Sequence, residues 1–295
     1  MKIATAAYPL DMLDTWAAYE AKITAWVAGA AQNGAELLVF PEYGAMELAT
    51  LDGLEIAGDL ARSTQSVSDK IGAADALHQR LAAEYGVHIV AASAPAITDK
   101  GTVNRARLIT PGGQIGVQDK QIMTRFERDI WDVVGGGPLQ VFDTELGRIG
   151  ILICYDSEFP LLGRALQSCD IIVVPSVTEA LAGYWRVRTG SMARALEQQC
   201  VTVMSSVVGQ ADWSTALGSC VGAGGVFCPP DTGFPPTGIL AAGEIGVPGW
   251  TYADVDLRAI AQVRADGVVL NRTHWDEQSG RDHPAINVAL GRIST

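Results

Sequence analysis

The chain has 295 residues, 48% of them hydrophobic and 18% charged, a composition able to bury a sizeable core and unlike that of a disordered chain. Its formal net charge of −12, with 21 Lys and Arg dispersed along the sequence, argues against a nucleic-acid partner and against an anionic membrane surface, because both need a basic face. Five cysteines without a CxxC pair fit a reduced, cytoplasmic protein, and no uncharged apolar run reaches the roughly 18 residues of a membrane-spanning helix.

Residues 1–9 read as a first strand rather than a signal peptide, because Pro9, Asp11 and Asp14 interrupt the apolar stretch. Residues 15–33 place Trp16, Tyr19, Ile23, Trp26, Val27 and Ala30 at helical spacing, with Gly34 as the stop. Residues 36–40 are continuously apolar in the middle, as expected of a strand covered on both faces. A second helix is predicted from about residue 68 to 85, ended by Gly86 and feeding a strand over 87–92. Strands over 103–110 and 115–118 flank Pro111-Gly112-Gly113, a hairpin signal. Further strands are predicted over 139–142, 148–153, 171–174, 201–208, 221–227 and 250–255, and helices over 159–167 and 183–199.

No internal repeat, Pro/Ser-rich linker or charge block divides the chain, so one domain is expected over 1–270. The tail, 271–295, has little periodicity and is a candidate for packing on a neighbouring subunit. So many strands do not fit one simple parallel sheet of ordinary width. Two sheets packed face to face, with helices outside, accommodate them.

Chemistry concentrates where apolar runs end. Cys154 follows Ile149-Gly150-Ile151-Leu152-Ile153, Glu42 follows Leu37-Leu38-Val39-Phe40-Pro41, and Lys120 follows Ile115-Gly116-Val117-Gln118-Asp119. Strand ends are where catalytic groups collect in α/β folds. A thiol needs a base or positive charge to become a nucleophile; Glu42 would take its proton, and Lys120 would stabilise an oxyanion together with the backbone N–H of Tyr155. Taken singly, Cys154 would pass as a buried apolar thiol, Glu42 as a turn carboxylate and Lys120 as a solvated lysine.

Taken together, Val39-Phe40-Pro41-Glu42, Asp119-Lys120 and Gly150-Ile151-Leu152-Ile153-Cys154-Tyr155-Asp156-Ser157-Glu158-Phe159-Pro160 resemble, in order and spacing, the three signature regions of the nitrilase, or carbon–nitrogen hydrolase, superfamily. The resemblance extends through Phe126-Glu127-Arg128, Val174-Pro175-Ser176 and Ala193-Arg194-Ala195-Leu196-Glu197, covering most of residues 1 to 260. It implies a four-layer α-β-β-α sandwich of two mixed sheets with outer helices. It also implies a Glu42–Lys120–Cys154 triad, Glu127 as an additional substrate-positioning glutamate, no cofactor and no metal, and a homodimer or higher homo-oligomer. The ordinary alternative for Glu127 is an ion pair with Arg125 or Arg128. After Lys120, the segment Gln121-Ile122-Met123-Thr124-Arg125 lacks the His-Leu of many relatives and resembles the branch found fused to an acetyltransferase module.

The expected partner is a small-molecule amide, cleaved to acid plus ammonia through a cysteine thioester. A nitrile processed through a thioimidate, acyl transfer to an amine, and a catalytically silent binding subunit all stay open. Tyr43, Trp131, Tyr184 and Trp185 flank the signature segments and are candidate pocket residues, although such aromatics commonly belong to a core. The four histidines, at 78, 88, 274 and 283, have no familiar zinc spacing. The Gly-rich runs at 135–137 and 222–225 lack the features of a phosphate loop.

Overall fold

The computed structural model describes residues 1–288 and 290. In chain order its elements are β1 (Lys2–Pro9), α1 (Trp16–Gln32), β2 (Leu37–Val39), a 3₁₀ segment (Gly44–Asp52), α2 (Leu54–Ala57), α3 (Leu60–Tyr85), β3 (His88–Thr98), β4 (Gly101–Ile109), β5 (Ile115–Asp119) and α4 (Arg125–Asp129). Then follow β6 (Val141–Thr144), β7 (Gly147–Ile151), a 3₁₀ turn (Cys154–Glu158), α5 (Pro160–Ala165), β8 (Ile171–Ser176), α6 (Leu181–Gln198) and β9 (Val201–Ala211). The last are β10 (Gly218–Cys220), β11 (Gly225–Phe227), β12 (Ile239–Ala242), β13 (Gly249–Asp254), α7 (Leu257–Asp266), α8 (Asn271–His274) and a closing 3₁₀ turn (Trp275–Gln278).

The strands run β5-β4-β3-β2-β1-β9-β8-β7-β6, and β1 and β9 are the seam. They pair only over Ala7–Pro9 with Ser206–Val208. Below that corner they part: β13 takes the free edge of β1 from Lys2 to Ala7, while β11 takes that of β9 from Thr202 to Met204. The two halves therefore fold face to face as the α-β-β-α sandwich, joined by hydrogen bonds at one corner. Alternation along the first half shows the layering. Ala4, Ala6, Leu38 and Ile89 pack outward with Tyr19, Ile23 and Val27 of α1 and Val67 and Leu81 of α3. Their neighbours Ile3, Leu37, Val39 and Val90 pack inward with Ile151, Ile172, Val174 and Val203. With both faces covered, β2 is apolar throughout and β1 nearly so, and each fully buried aliphatic side chain contributes roughly 1.5–3 kcal/mol.

Local chemistry sets the helix ends. Thr15 caps α1 by accepting from the Ala18 N–H, and Asp59 caps α3 by accepting from Arg62. Gly86, at φ +65°, closes α3 in a conformation costly for other residues. That helix begins eight residues before the expected residue 68, at Leu60. Its first buried face is polar by composition, and Ser63 and Thr64 satisfy their hydroxyls by donating back to the Leu60 carbonyl. Of the strand expected over 221–227 only 225–227 forms, as β11; residues 221–224 are irregular, and the separate strand β10 precedes them. At Gly224, between them, a Cβ would lie 2.7 Å from the Thr5 carbonyl oxygen, so the chain there lies hard against β1.

The first part of the tail packs on its own chain. Arg164 of α5 donates to Asp276 at 3.0 Å and lies over the Trp275 ring, and the Arg272 N–H reaches Gln199. Ile286, Val288 and Leu290 are exposed; residues 289 and 291–295, the rest of the expected subunit-packing tail, lie outside the described residues. All five cysteines are free and buried. Among the described residues no helix is long and apolar enough to cross a membrane.

Candidate active site

Three chain segments converge at one end of the sandwich. After β2, Phe40-Pro41-Glu42 leads into Tyr43, whose φ of 53° turns the chain sharply while its N–H donates to Ser93 Oγ at 2.9 Å. After β5, the Lys120 N–H donates to the Asn104 carbonyl of β4 at 2.9 Å. Three residues beyond the end of β7, Cys154 opens its 3₁₀ turn with φ 49°. The sequence places the thiol at the strand end itself; the structure sets it on a left-handed bend that lifts it off the sheet. Such conformations cost about 1–3 kcal/mol each for non-glycine residues and persist where surrounding contacts enforce them.

The side chains meet in a site nearly closed to solvent. Lys120 Nζ lies 2.7 Å from Glu42 Oε1 and 2.6 Å from Glu127 Oε2, with Lys120 and Glu42 each 1% exposed. Glu42 Oε1 also accepts from Asn104 Nδ2 at 3.0 Å, and its Oε2 accepts from the Val177 N–H at 3.0 Å. The thiol donates to the Val177 carbonyl oxygen, 3.6 Å from the sulfur, and the N–H of the same Val177 donates to Glu42, so thiol and carboxylate meet on one peptide segment. Glu127 makes no ion pair with Arg125 or Arg128. As the third residue of α4 it closes a capping box with Thr124 while the same carboxylate grips Lys120.

Burial decides the charge states. It raises the Cys154 thiol well above its usual value, and Glu42 raises it further, so the resting group is a neutral thiol. Burial also raises Glu42, an effect that Lys120 only partly offsets. Burial acts the same way on Glu127, but Lys120 and the Thr124 donors outweigh it and leave that carboxyl below the ordinary glutamate value. Burial opposes the Lys120 charge, yet the two carboxylates outweigh it and hold the ammonium pKa above normal. Two glutamates on one lysine are thus driven apart: one stays ionised as the lysine's counterion, and the other is the stronger base. The arrangement can take a proton from the thiol and present a cation beside the sulfur.

Beside these groups lies a cavity of about 320 Å³. Tyr43 and Trp131 line it, their rings 4.5 Å apart, with Trp131 Nε1 donating to Thr64. Tyr155 lines it too; as the second residue of its turn, its N–H precedes the first intra-turn hydrogen bond and is available to a ligand. Tyr184 and Trp185 do not line it. Tyr184 is buried beneath α6 with its hydroxyl accepting from Arg188 Nη1, and Trp185 is 47% exposed beside the Arg188 guanidinium. The phase of α6 instead turns Gly183, Arg186 and Val187 to the cavity, at the three- and four-residue spacing of one helix face. Asn104, Ser93, Val177 and Asp156 went unassigned in the sequence. An Asn inside the apolar strand over 103–110 was the one available signal.

The family model described as Carbon-nitrogen hydrolase matches residues 2–225. The chain belongs to the carbon–nitrogen hydrolase family. It is 32% identical over 273 residues to "Probable hydrolase YhcX" of Bacillus subtilis (strain 168), an alignment covering 91% of this chain and 52% of that protein, so it spans about half the length of that relative. Its fold matches Saccharomyces cerevisiae Nit3, a member of branch 10 of the nitrilase superfamily, with TM-score 0.71 and 18% identity, covering 93% of this chain and 96% of the other. It also matches the Nesterenkonia AN1 amidase from the nitrilase superfamily, with TM-score 0.64, 22% identity and coverages of 90% and 95%. Among the described residues of this carbon–nitrogen hydrolase, no group of three or more His, Cys, Asp or Glu is arranged to hold a metal ion.

Proposed function

We propose that this carbon–nitrogen hydrolase cleaves a small carboxamide to its acid and ammonia, with Cys154 as nucleophile, Glu42 as general base and acid, and Lys120 as oxyanion stabiliser. The observation that carries this reading is the buried Glu42 carboxylate, which holds Lys120 at 2.7 Å and accepts from the N–H of Val177, the residue whose carbonyl takes the thiol. A neutral thiol beside a raised-pKa carboxylate is suited to losing its proton to Glu42 as sulfur attacks the carbonyl carbon. The negative charge that develops on the amide oxygen is met by Lys120 Nζ and the Tyr155 N–H. Protonated Glu42 then donates to the nitrogen, the carbon–nitrogen bond breaks, ammonia leaves, and a thioester joins the acyl group to Cys154. Water enters, loses a proton to Glu42 and attacks the thioester; the acid departs and the thiol is restored. Glu127 stays ionised throughout and keeps Lys120 charged and aimed.

A Cys154→Ala variant tests the assignment. Ammonia release across a panel of small carboxamides should fall by on the order of 10³-fold or more, with circular dichroism and melting temperature close to those of the parent. Ammonia release retained in that variant refutes the reading.

A further inference from the structure

One buried carboxylate close to the site takes no part in that chemistry. Asp156 is 1% exposed and lies outside the cavity lining. Its Oδ1 accepts from the N–H groups of Gln121 at 3.2 Å and Ile122 at 2.8 Å; its Oδ2 accepts from Gln121 at 3.1 Å and Ile153 at 3.2 Å. Gln121 follows Lys120, and Ile153 precedes Cys154. A single side chain therefore bridges the backbone that carries the cation and the backbone that carries the thiol.

The other restraints on the backbone of the two segments act on each separately. Ser157 Oγ donates to the Cys154 carbonyl and Arg194 to the Ser157 carbonyl, which hold the turn against α6. The Lys120 N–H donates to the Asn104 carbonyl and the Lys120 carbonyl accepts from Gly136, which hold the lysine to β4 and its neighbouring loop. Neither set fixes the distance between the turn and the lysine loop. Asp156 does, and the site demands its chemistry: all three backbone partners are donors, and an ionised carboxylate is acceptor-only, whereas an Asn of the same shape would bring an N–H₂ against N–H groups. Burial raises its carboxyl to about 7 despite the N–H bonds and the nearby Lys120, so the acceptor is kept at an energetic cost.

We propose that Asp156 is a positioning residue whose carboxylate sets the separation of Lys120 Nζ from Cys154 Sγ, and through it the fit of the oxyanion site, without touching substrate. The proposal rests on the Glu42–Lys120–Cys154 reading given above. Displacements of about 1 Å in such sites cost about 10²-fold in rate.

In Asp156→Asn, assayed well below its melting temperature, kcat should fall about 10- to 100-fold with KM within about threefold, and alkylation of Cys154 by iodoacetamide should slow. A lower melting temperature with unchanged kcat and unchanged alkylation shows a merely structural role and overturns the proposal. Amide hydrogen exchange in the unsubstituted protein gives a second measurement that needs no variant to fold. The Ile122 N–H, although it lies in a loop, should be protected together with that of Ile153; exchange at the rate of an open loop amide overturns the clamp. Alkylation and exchange need no amide turnover, so they decide this proposal even where Cys154→Ala has refuted the amidase reading.

Discussion

Asn104→Ala removes one neutral donor from the Glu42 carboxylate and leaves its burial and its ion pair with Lys120 in place. Asn104 is fully buried; its Nδ2 donates to Glu42 Oε1 at 3.0 Å, and its Oδ1 accepts from Ser93 Oγ at 2.6 Å. The donor favours ionised Glu42, so its removal favours the protonated form and pushes a pKa already above 4.5 higher still. A hydrogen bond to a charged group nets about 1.5–3 kcal/mol, enough for the rise to be read in a pH profile. Activity needs the ionised base. The acid limb of kcat/KM should therefore move to higher pH, while the plateau rate falls less than about tenfold because Lys120 and the Val177 N–H still hold Glu42. The substitution also leaves the Ser93 hydroxyl without its acceptor, at about 1–3 kcal/mol, which a domain of ordinary stability, about 5–15 kcal/mol, survives. The assay is a pH series of kcat/KM on one amide, with urea unfolding of both proteins alongside. Acid limbs that superimpose, in a variant shown to be destabilised as expected, would mean that Asn104 does not tune Glu42 and that the hydrogen-bond argument is wrong.

Two further outcomes test neighbouring contacts. Glu127→Gln removes the second negative charge from Lys120 while its amide oxygen can still accept from Thr124 at the start of α4; kcat should fall by about 10- to 10³-fold, and a variant with parental kcat would show that Glu42 alone suffices to hold the lysine. Gly190→Ala sets two effects against each other: alanine favours a helix by about 1 kcal/mol, but its Cβ would lie 2.8 Å from the Ser157 carbonyl oxygen, in the backbone of the turn that carries Cys154. The turn is pinned from below by Arg194, so overpacking at about 1–3 kcal/mol should win. A melting temperature at or above the parent's would show that α6 and the turn are free to part.

Glu42 and Cys154 were readable as candidates because each follows an uninterrupted apolar run, which is what a strand buried on both faces requires, whereas Lys120 follows the mixed, partly exposed strand β5 and was readable only from its place in the motif. The residues that tune them were hidden for a different reason. Asn104 and Ser93 meet because the register of β3 on β4 shifts by one between Ala91 and Ala94, leaving Pro95 opposite Asn104 and Ser93 in the irregularity beside it. That register is a property of two strands together and leaves no trace in either. Asp156 was visible in the motif, yet its three partners lie in segments whose approach depends on the whole sandwich closing. Tyr184 and Trp185 were misplaced because nearness in sequence says nothing about helix phase: burying Tyr184 under α6 turns the neighbouring face, Arg186 and Val187, to the cavity.

Glu127 lies between these cases. Thr124-Arg125-Phe126-Glu127 carries the Ser/Thr-x-x-Glu pattern of a helix start, which places the carboxylate at the first turn of α4 without reference to any other segment. A capping carboxylate is held rigid by its own backbone, so it can present its charge to Lys120 at little further entropic cost. Five residues of helix, too short to be stable alone, are anchored in turn by that ion pair. The capping contact therefore aims Glu127, and its grip on Lys120 stabilises the helix that aims it, so the same oxygen atoms serve the local fold and the reaction site.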